Sequence, residues 1–309
     1  MNTTQNTAAL LESRTAVPKD QALLRNSTFT VLVLIWLGLF WHRLYALGEL
    51  AVRSDLYSHT IFIPFLSVVF IYLKRRRIFS ETRFDLAFAT PLFLAGVSLY
   101  GVSLYHTSLT GASNELFAPI LSLVMLLVGS FGLCYGSRAA REAAFPLLFL
   151  LLMVPVPAFA LEVIVRALQH TSADGSAILF SFLGIPAHRE NLTFDLPGIR
   201  ILVGEECSGI RSTIALFITI ILAAQLSLKS NWTKLILCIL VVPIAVVKNS
   251  VRIVTLSTLA LYVNRDFLYG HLHRQGGVIF FMLGLGILAG FLRLLELWER
   301  RIQPRGKVI

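Results

Sequence analysis

The sequence predicts an all-α polytopic membrane protein of about eight transmembrane helices. An outer-face amphipathic helix and a short β-hairpin are expected to lead into a cysteine that opens one of those helices. Three observations predict this class. Of the 309 residues, 56% are hydrophobic and only 14% charged, where a soluble domain carries about a quarter charged residues. Mean hydropathy is +0.75, and several apolar runs approach the roughly 20 residues that a helix needs to cross a bilayer with its backbone bonds closed internally. The basic residues gather in short loops beside those runs, as the positive-inside rule requires. The net charge of +10 is therefore read as membrane orientation, with membrane lipid as a partner and no nucleic acid. Three cysteines without metal-ligand spacing indicate neither a disulfide framework nor a zinc site, and no metal or cofactor is expected.

Residues 1–27 read as a polar cytoplasmic tail, 28–298 as one integral-membrane domain and 299–309 as a basic cytoplasmic tail. The polar start and the length of the first apolar run argue for a retained span rather than a cleaved signal peptide. That span is expected over about Phe29–Leu47. The second starts near Tyr57-Ser58-His59 and stops at Lys74-Arg75-Arg76-Arg77, a strong cytoplasmic marker. The third covers about Leu86–Tyr105 and the fourth Phe117–Cys134. The fifth, about Ala144–Phe159, meets Pro155 and Pro157, which end a helix.

From Leu161 to Leu183 the pattern changes. Glu162, Arg166, Gln169, His170 and Asp174 interrupt the apolar positions at helical spacing, which predicts an interfacial amphipathic helix or helix pair rather than a span. Leu192–Leu196 and Ile199–Val203 flank Pro197-Gly198 and read as two short strands around a turn. The sixth span is expected over Ile210–Leu226, the seventh over Leu235–Val251 and the eighth over Gly277–Leu295. This places both termini in the cytoplasm and the heavy basic clusters on one side.

The chemistry-bearing stretch is Glu205-Glu206-Cys207-Ser208-Gly209-Ile210-Arg211-Ser212. Ser208 and Gly209 suit the opening of a helix, so Cys207 stands at or just before a helix N-terminus, where backbone N–H groups favour a thiolate, the nucleophilic form. Cys134 and Cys238 lie among Leu, Ile, Val and Gly and read as small buried apolar residues. The expected topology brings Cys207 to the same face as Asn249 and Arg252, which close the seventh span at i, i+3 spacing, and as His271 and His273 before the eighth. A thiol, an imidazole and a guanidinium on one face suit acyl transfer: the imidazole takes the thiol proton, the thiolate attacks a carbonyl, and a cation stabilises the oxyanion. No carboxylate is clearly placed to orient the imidazole; Glu205 and Asp266 are the candidates. Periodicity does not choose between His271 and His273. Lys248 and Arg274 read equally as site residues and as side chains snorkelling to headgroups.

These residues resemble the exosortase/archaeosortase family of integral-membrane cysteine transpeptidases. Tyr57-Ser58-His59 with Pro64 is similar to the family's YSHG…P stretch, with Thr60 where the family usually has Gly. Phe145-Pro146 and Met153-Val-Pro-Val-Pro157 resemble its proline-rich segment, and Leu183-Gly-Ile-Pro186 with Leu196-Pro-Gly198 its lead-in to the active site. Glu205 to Ser212 matches the E-x-CSGIRS core, Pro243 with Asn249-Ser-Val-Arg252 the P…NxxR motif, and His273 with Gly277 and Phe281 the HxxxG…F motif. The resemblance runs from Tyr57 to about Phe281. It implies Cys207, Arg252 and His273 as the catalytic trio, with Glu205, Ser208, Arg211, Asn249, His59 and His271 in substrate or supporting roles. It implies exported proteins with a C-terminal sorting signal as partners: a short motif, a transmembrane helix and a basic tail. It also implies a bacterial or archaeal cytoplasmic membrane, with the active site on the outer face. Two other readings remain from the residues alone. One is a non-catalytic component of exopolysaccharide assembly or export, whose outer basic cluster binds an anionic glycan or headgroup. The other, a transporter, requires ionisable residues deep inside spans, where the sequence offers few. Gly286 and Gly290 form a GxxxG, a pattern common by chance in apolar helices, and the oligomeric state is left open.

Overall fold

The computed structural model describes residues 19–105, 112–264 and 277–302. The chain folds as two compact units, Met1–Ala158 and Phe159–Ile309.

In the first unit, α1 (Lys19–Leu39) and α2 (Trp41–Arg53) follow one another across a break at Phe40. Phe40 is buried and packs on Tyr100 at 4.7 Å between ring centroids, which holds the break in place. A 3₁₀ turn over Ser58–Ile61 runs into α3 (Phe62–Leu73), and the basic stretch forms the short α4 (Arg75–Ile78). Helices α5 (Leu86–Tyr105) and α6 (Ala112–Glu142) form the main packed pair, and α7 (Ala144–Phe149) with the 3₁₀ turn Leu150–Met153 closes the unit.

Helix α6 is interrupted at Gly136, whose φ of 90° only glycine adopts readily. The chain before α5 fills the gap. Asp85 N–H bonds Leu133 O at 3.0 Å, while its carboxylate accepts Phe88 N–H at 3.1 Å and Ser137 N–H at 3.2 Å. One side chain thus caps α5 and satisfies the broken backbone of α6. The Ser137 hydroxyl, then the Phe88 and Ser137 N–H groups, hold the Asp85 carboxyl below its usual range. An aromatic cluster of Phe29, Phe79, Phe131 and Tyr135 packs beside this junction.

The second unit opens with α8 (Ala158–Phe182) and a three-stranded antiparallel sheet: β1 (His188–Glu190), β2 (Thr193–Leu196) and β3 (Ile199–Leu202), in the order β1-β2-β3. The expected hairpin is present, with Phe194 opposite Ile201. The third strand, β1, was not expected, because His188-Arg-Glu190 has no apolar alternation. It joins through a turn at Asn191, which takes φ 56°. Phe194 and Leu196 on β2 pack with Ala173 and Phe180 of α8 and with Ile253 and Val254 further along the chain, forming one buried cluster. Helices α9 (Ile210–Ser227), α10 (Asn231–Tyr262) and α11 (Gly277–Ile302) pack through a second cluster centred on Leu216, Ile220, Leu237, Val241 and Leu288. Glu299 of α11 caps α10 from outside: its carboxylate accepts the N–H groups of Lys229 and Ser230, both at 2.9 Å, and the Thr233 hydroxyl. A carboxylate is favoured there by the exposed donors and the positive helix end.

Among the described residues six helices are long and apolar enough to cross a membrane, or seven if the bent pair Ala144–Met153 and Ala158–Phe182 counts as one span. The all-α polytopic class stands, and the described residues supply six or seven candidate spans where about eight were expected. The difference lies in the second and fifth expected spans. Ser58–Leu73 is apolar but short, roughly 24 Å at 1.5 Å per residue against a core of about 30 Å. Residues 144–153 are shorter again. Helix ends also move. α1 begins at Lys19, before the expected Phe29, and α11 continues to Ile302. Most consequentially, α10 runs on to Tyr262 instead of stopping at Val251.

Candidate active site

Cys207 sits on a single 3₁₀ turn, Glu205–Ser208, directly before α9. Gly209 separates the two with φ 72° and ψ 11°, a left-handed conformation that costs a side-chain-bearing residue about 1–2 kcal/mol. The turn is closed by Cys207 N–H to Gly204 O at 2.9 Å. Ile210 N–H lies 3.4 Å from Ser208 Oγ, at the long limit of a cap. The expectation that Cys207 stands just before a helix N-terminus is met. Cys207 is half-buried and its side chain packs at the edge of the cluster around Phe194 and Ile253. Ser208 is buried, while Glu205 and Arg211 are exposed.

What fixes this turn is Asn249. Its Nδ2 donates to Cys207 O at 2.6 Å and to Ser172 Oγ at 3.0 Å. The carbonyl of Cys207 can only accept, which assigns the amide orientation from the network itself. Asn249 is 1% exposed, and its Oδ1 has no hydrogen-bond partner among the described residues. The Gly209 backbone comes so close that a Cβ there would stand 3.0 Å from Oδ1 and 3.1 Å from Cγ. The neighbouring Ser250 hydroxyl donates to Ser172 O and Val246 O, each at 3.0 Å. The turn carrying Cys207 is thereby tied to α10, and α10 to α8, through buried polar groups, each worth about 1 kcal/mol net and more when left unmade.

Arg252 is half-buried on α10, at the i, i+3 spacing from Asn249 that was expected. Both residues lie within α10 rather than at its end. The polar run Lys248-Asn249-Ser250 reads in sequence as the exit from the membrane, but all three residues are buried and bonded inside the unit. His271 and His273, with Asp266 and Arg274, lie outside the described residues. His59 belongs to the first unit, where its ring meets the backbone carbonyls of Leu56 and Leu152. Tyr57 Oη donates to Val156 O at 3.2 Å, so the Tyr57-Ser58-His59 stretch and the proline-rich stretch of the first unit meet one another. Cys134 is fully buried and Cys238 half-buried, both as free thiols. Among the described residues no group of three His, Cys, Asp or Glu side chains comes together to hold a metal ion.

Sequence reasoning missed Ser172 and Gln169 as parts of this region, and left Lys248 evenly between a site residue and a snorkelling side chain, whereas it is buried. Gln169 was expected on the wetted face of an interfacial helix; instead it is buried and donates to Val203 O at 3.0 Å. The signal available was the spacing Gln169, Ser172, Ser176, one stripe along α8 that is buried throughout, beside the exposed Glu162, Arg166, His170 and Asp174.

Residues 51–290 match the family described as transmembrane exosortase (Exosortase_EpsH). No curated protein and no solved structure matches the chain. The matched stretch covers most of the chain and contains the Cys207 turn with both helices that it joins, so this protein belongs to the transmembrane exosortase family.

Proposed function

We propose that this chain is a membrane-embedded cysteine peptidase or transpeptidase that cleaves the C-terminal sorting signal of exported proteins through a thioester on Cys207. The observation that carries this reading is the Asn249 bond to Cys207 O at 2.6 Å. It fixes a half-buried thiol on a turn before a helix N-terminus, with Arg252 on the same helix as its anchor. A nucleophile held in this way meets a bound carbonyl without further ordering, and geometry of this kind supplies a large share of a rate enhancement.

In the proposed reaction, His273 takes the Cys207 proton and the thiolate sulfur bonds the scissile carbonyl carbon. Arg252 stabilises the oxyanion of the tetrahedral intermediate. The C–N bond then breaks, and the departing amine, which carries the transmembrane helix and basic tail, takes the proton from the imidazolium. An acceptor amine or water next displaces sulfur from the thioester and regenerates the thiol. The active-site face is the outer side of the cytoplasmic membrane, where the recognition motif emerges from the substrate's own helix. In this reading Glu205 and Arg211, exposed around the turn, contact the substrate.

The test is a processing assay. A substrate tagged at its C-terminus is co-expressed with wild type and with Cys207→Ala, and tag release is followed by gel. Release lost only in the variant supports the reading. Release at the wild-type rate overturns it and brings a non-catalytic role in exopolysaccharide assembly to the front.

A further inference from the structure

Lys248 is 2% exposed on a helix apolar enough to span a membrane. An ammonium in such a place is costly, and an apolar residue of similar length would pack there without that penalty. Its burial is built for. The Lys248 stem lies against Gly284 of α11, where a Cβ would stand 3.2 Å from Lys248 Cδ. Its Nζ donates to Ser212 Oγ. The Ser212 hydroxyl in turn donates to Gly209 O at 2.9 Å.

Ser212 stands on the first turn of α9 and Cys207 just before it, with the left-handed Gly209 between them. Lys248 and Asn249 are adjacent on α10, yet they reach opposite sides of that glycine. Asn249 holds the carbonyl of Cys207 before it, and Lys248, through Ser212, holds the carbonyl of Gly209 itself. The two bonds hold the Cys207–Ser208 and Gly209–Ile210 peptide planes, one on each side of the left-handed glycine that joins the Cys207 turn to α9.

We infer that Lys248 is a positioning residue for Cys207, acting through Ser212, and that the adjacent pair Lys248-Asn249 forms a two-point clamp on the nucleophile's turn. The inference rests on the reading of Cys207 as the nucleophile. Lys248 touches no reacting atom in this account; it sets the orientation of the residue that does.

The experiment uses the full chain in membranes with a tagged substrate. Lys248→Met, Lys248→Arg, Ser212→Ala and the double variant Lys248→Met/Ser212→Ala are compared for kcat and KM. Backbone hydrogen exchange is followed over residues 205–213. Lys248→Met and Ser212→Ala are expected each to lower kcat about 10–100-fold, the scale of a misplaced reacting group, with KM unchanged. The double variant is expected to be no worse than either single change, since the two residues act as one unit, and Lys248→Arg, which keeps the donor, to retain more activity than Lys248→Met. Exchange over 205–213 rises about tenfold in both single variants while other helices keep their protection. Wild-type kcat in Ser212→Ala, or single effects that add in the double variant, overturn the inference. Ser212→Ala removes one oxygen and carries the test even where Lys248→Met fails to fold. The exchange arm does not depend on catalysis: unchanged exchange refutes the clamp whether or not Cys207 is the nucleophile, and loss of the Cys207 role alone shows only in the processing assay.

Discussion

Replacing Gly209 with alanine probes the Cys207 turn at its narrowest point. Two costs arise together. The left-handed φ of 72° is unfavourable for alanine by about 1–2 kcal/mol. The new methyl also stands 3.0 Å from Asn249 Oδ1 and 3.1 Å from its Cγ, so the amide must move. The Nδ2 bond to Cys207 O is already short at 2.6 Å, and losing it leaves a carbonyl unpaired at a cost of about 1–3 kcal/mol. The total is about 2–5 kcal/mol. Gly184 supplies the control. It has φ 67° with nothing within 4 Å of an added Cβ, so Gly184→Ala carries only the conformational part, about 1–2 kcal/mol. The two variants are compared by denaturant unfolding in detergent micelles and by processing rate. Gly209→Ala is expected to be the less stable by about 1–3 kcal/mol and to lose processing about 10–100-fold, while Gly184→Ala processes normally. Equal stability and equal processing in the two would refute the close coupling of Gly209, Asn249 and Cys207.

Three other outcomes follow from the same contacts. Asn249→Leu keeps the branched skeleton of the side chain but removes the donor to Cys207 O and Ser172 Oγ, so it should lose about 1–3 kcal/mol in denaturant unfolding, with processing falling further than stability. Glu299→Ala strips the cap from the start of α10 and should cost about 1–2 kcal/mol; amide exchange at Lys229 and Ser230 reports it directly, and unchanged protection there would contradict the capping role. Asp85 gives a pH dependence. Its carboxyl is held below the usual 3.8 by Ser137 and Phe88, so its contribution is present above that value and fades as pH falls through the lower folded value. Melting temperature should therefore fall less steeply below about pH 4 in Asp85→Asn than in wild type, and parallel acid limbs would count against the double cap.

The class of the fold was legible because membrane spans are dictated by backbone hydrogen bonding in hydrocarbon, which a single apolar run reveals. The start of α9 was legible too, since Ser208-Gly209 before an apolar run marks a helix opening. What misled was the reading of polarity as a boundary. Lys248, Asn249 and Arg252 suggested that α10 ended near Val251, whereas the helix passes through them and uses the first two to hold the Cys207 turn. Their partners are Ser172, 77 residues away, Cys207, 42 away, and Ser212, 36 away. No periodicity within one segment encodes such pairings. The same holds for Gln169, polar in sequence yet buried against Val203. Strand β1 was hidden for the opposite reason: its three polar residues carry no apolar alternation, and their ladder with β2 is a backbone pairing. The resemblance, by contrast, depended on short motifs, and residues 51–290 carry them within one family.

The central claim is that Cys207 forms a covalent acyl-enzyme. It is tested most directly by trapping: the enzyme is acid-quenched during turnover of a tagged substrate, and the peptide spanning Cys207 is identified by mass. The account predicts a substrate-derived acyl adduct on Cys207 that hydroxylamine releases, absent in Cys207→Ala and diminished in Arg252→Ala. Processing at the wild-type rate with no adduct on Cys207 would contradict it.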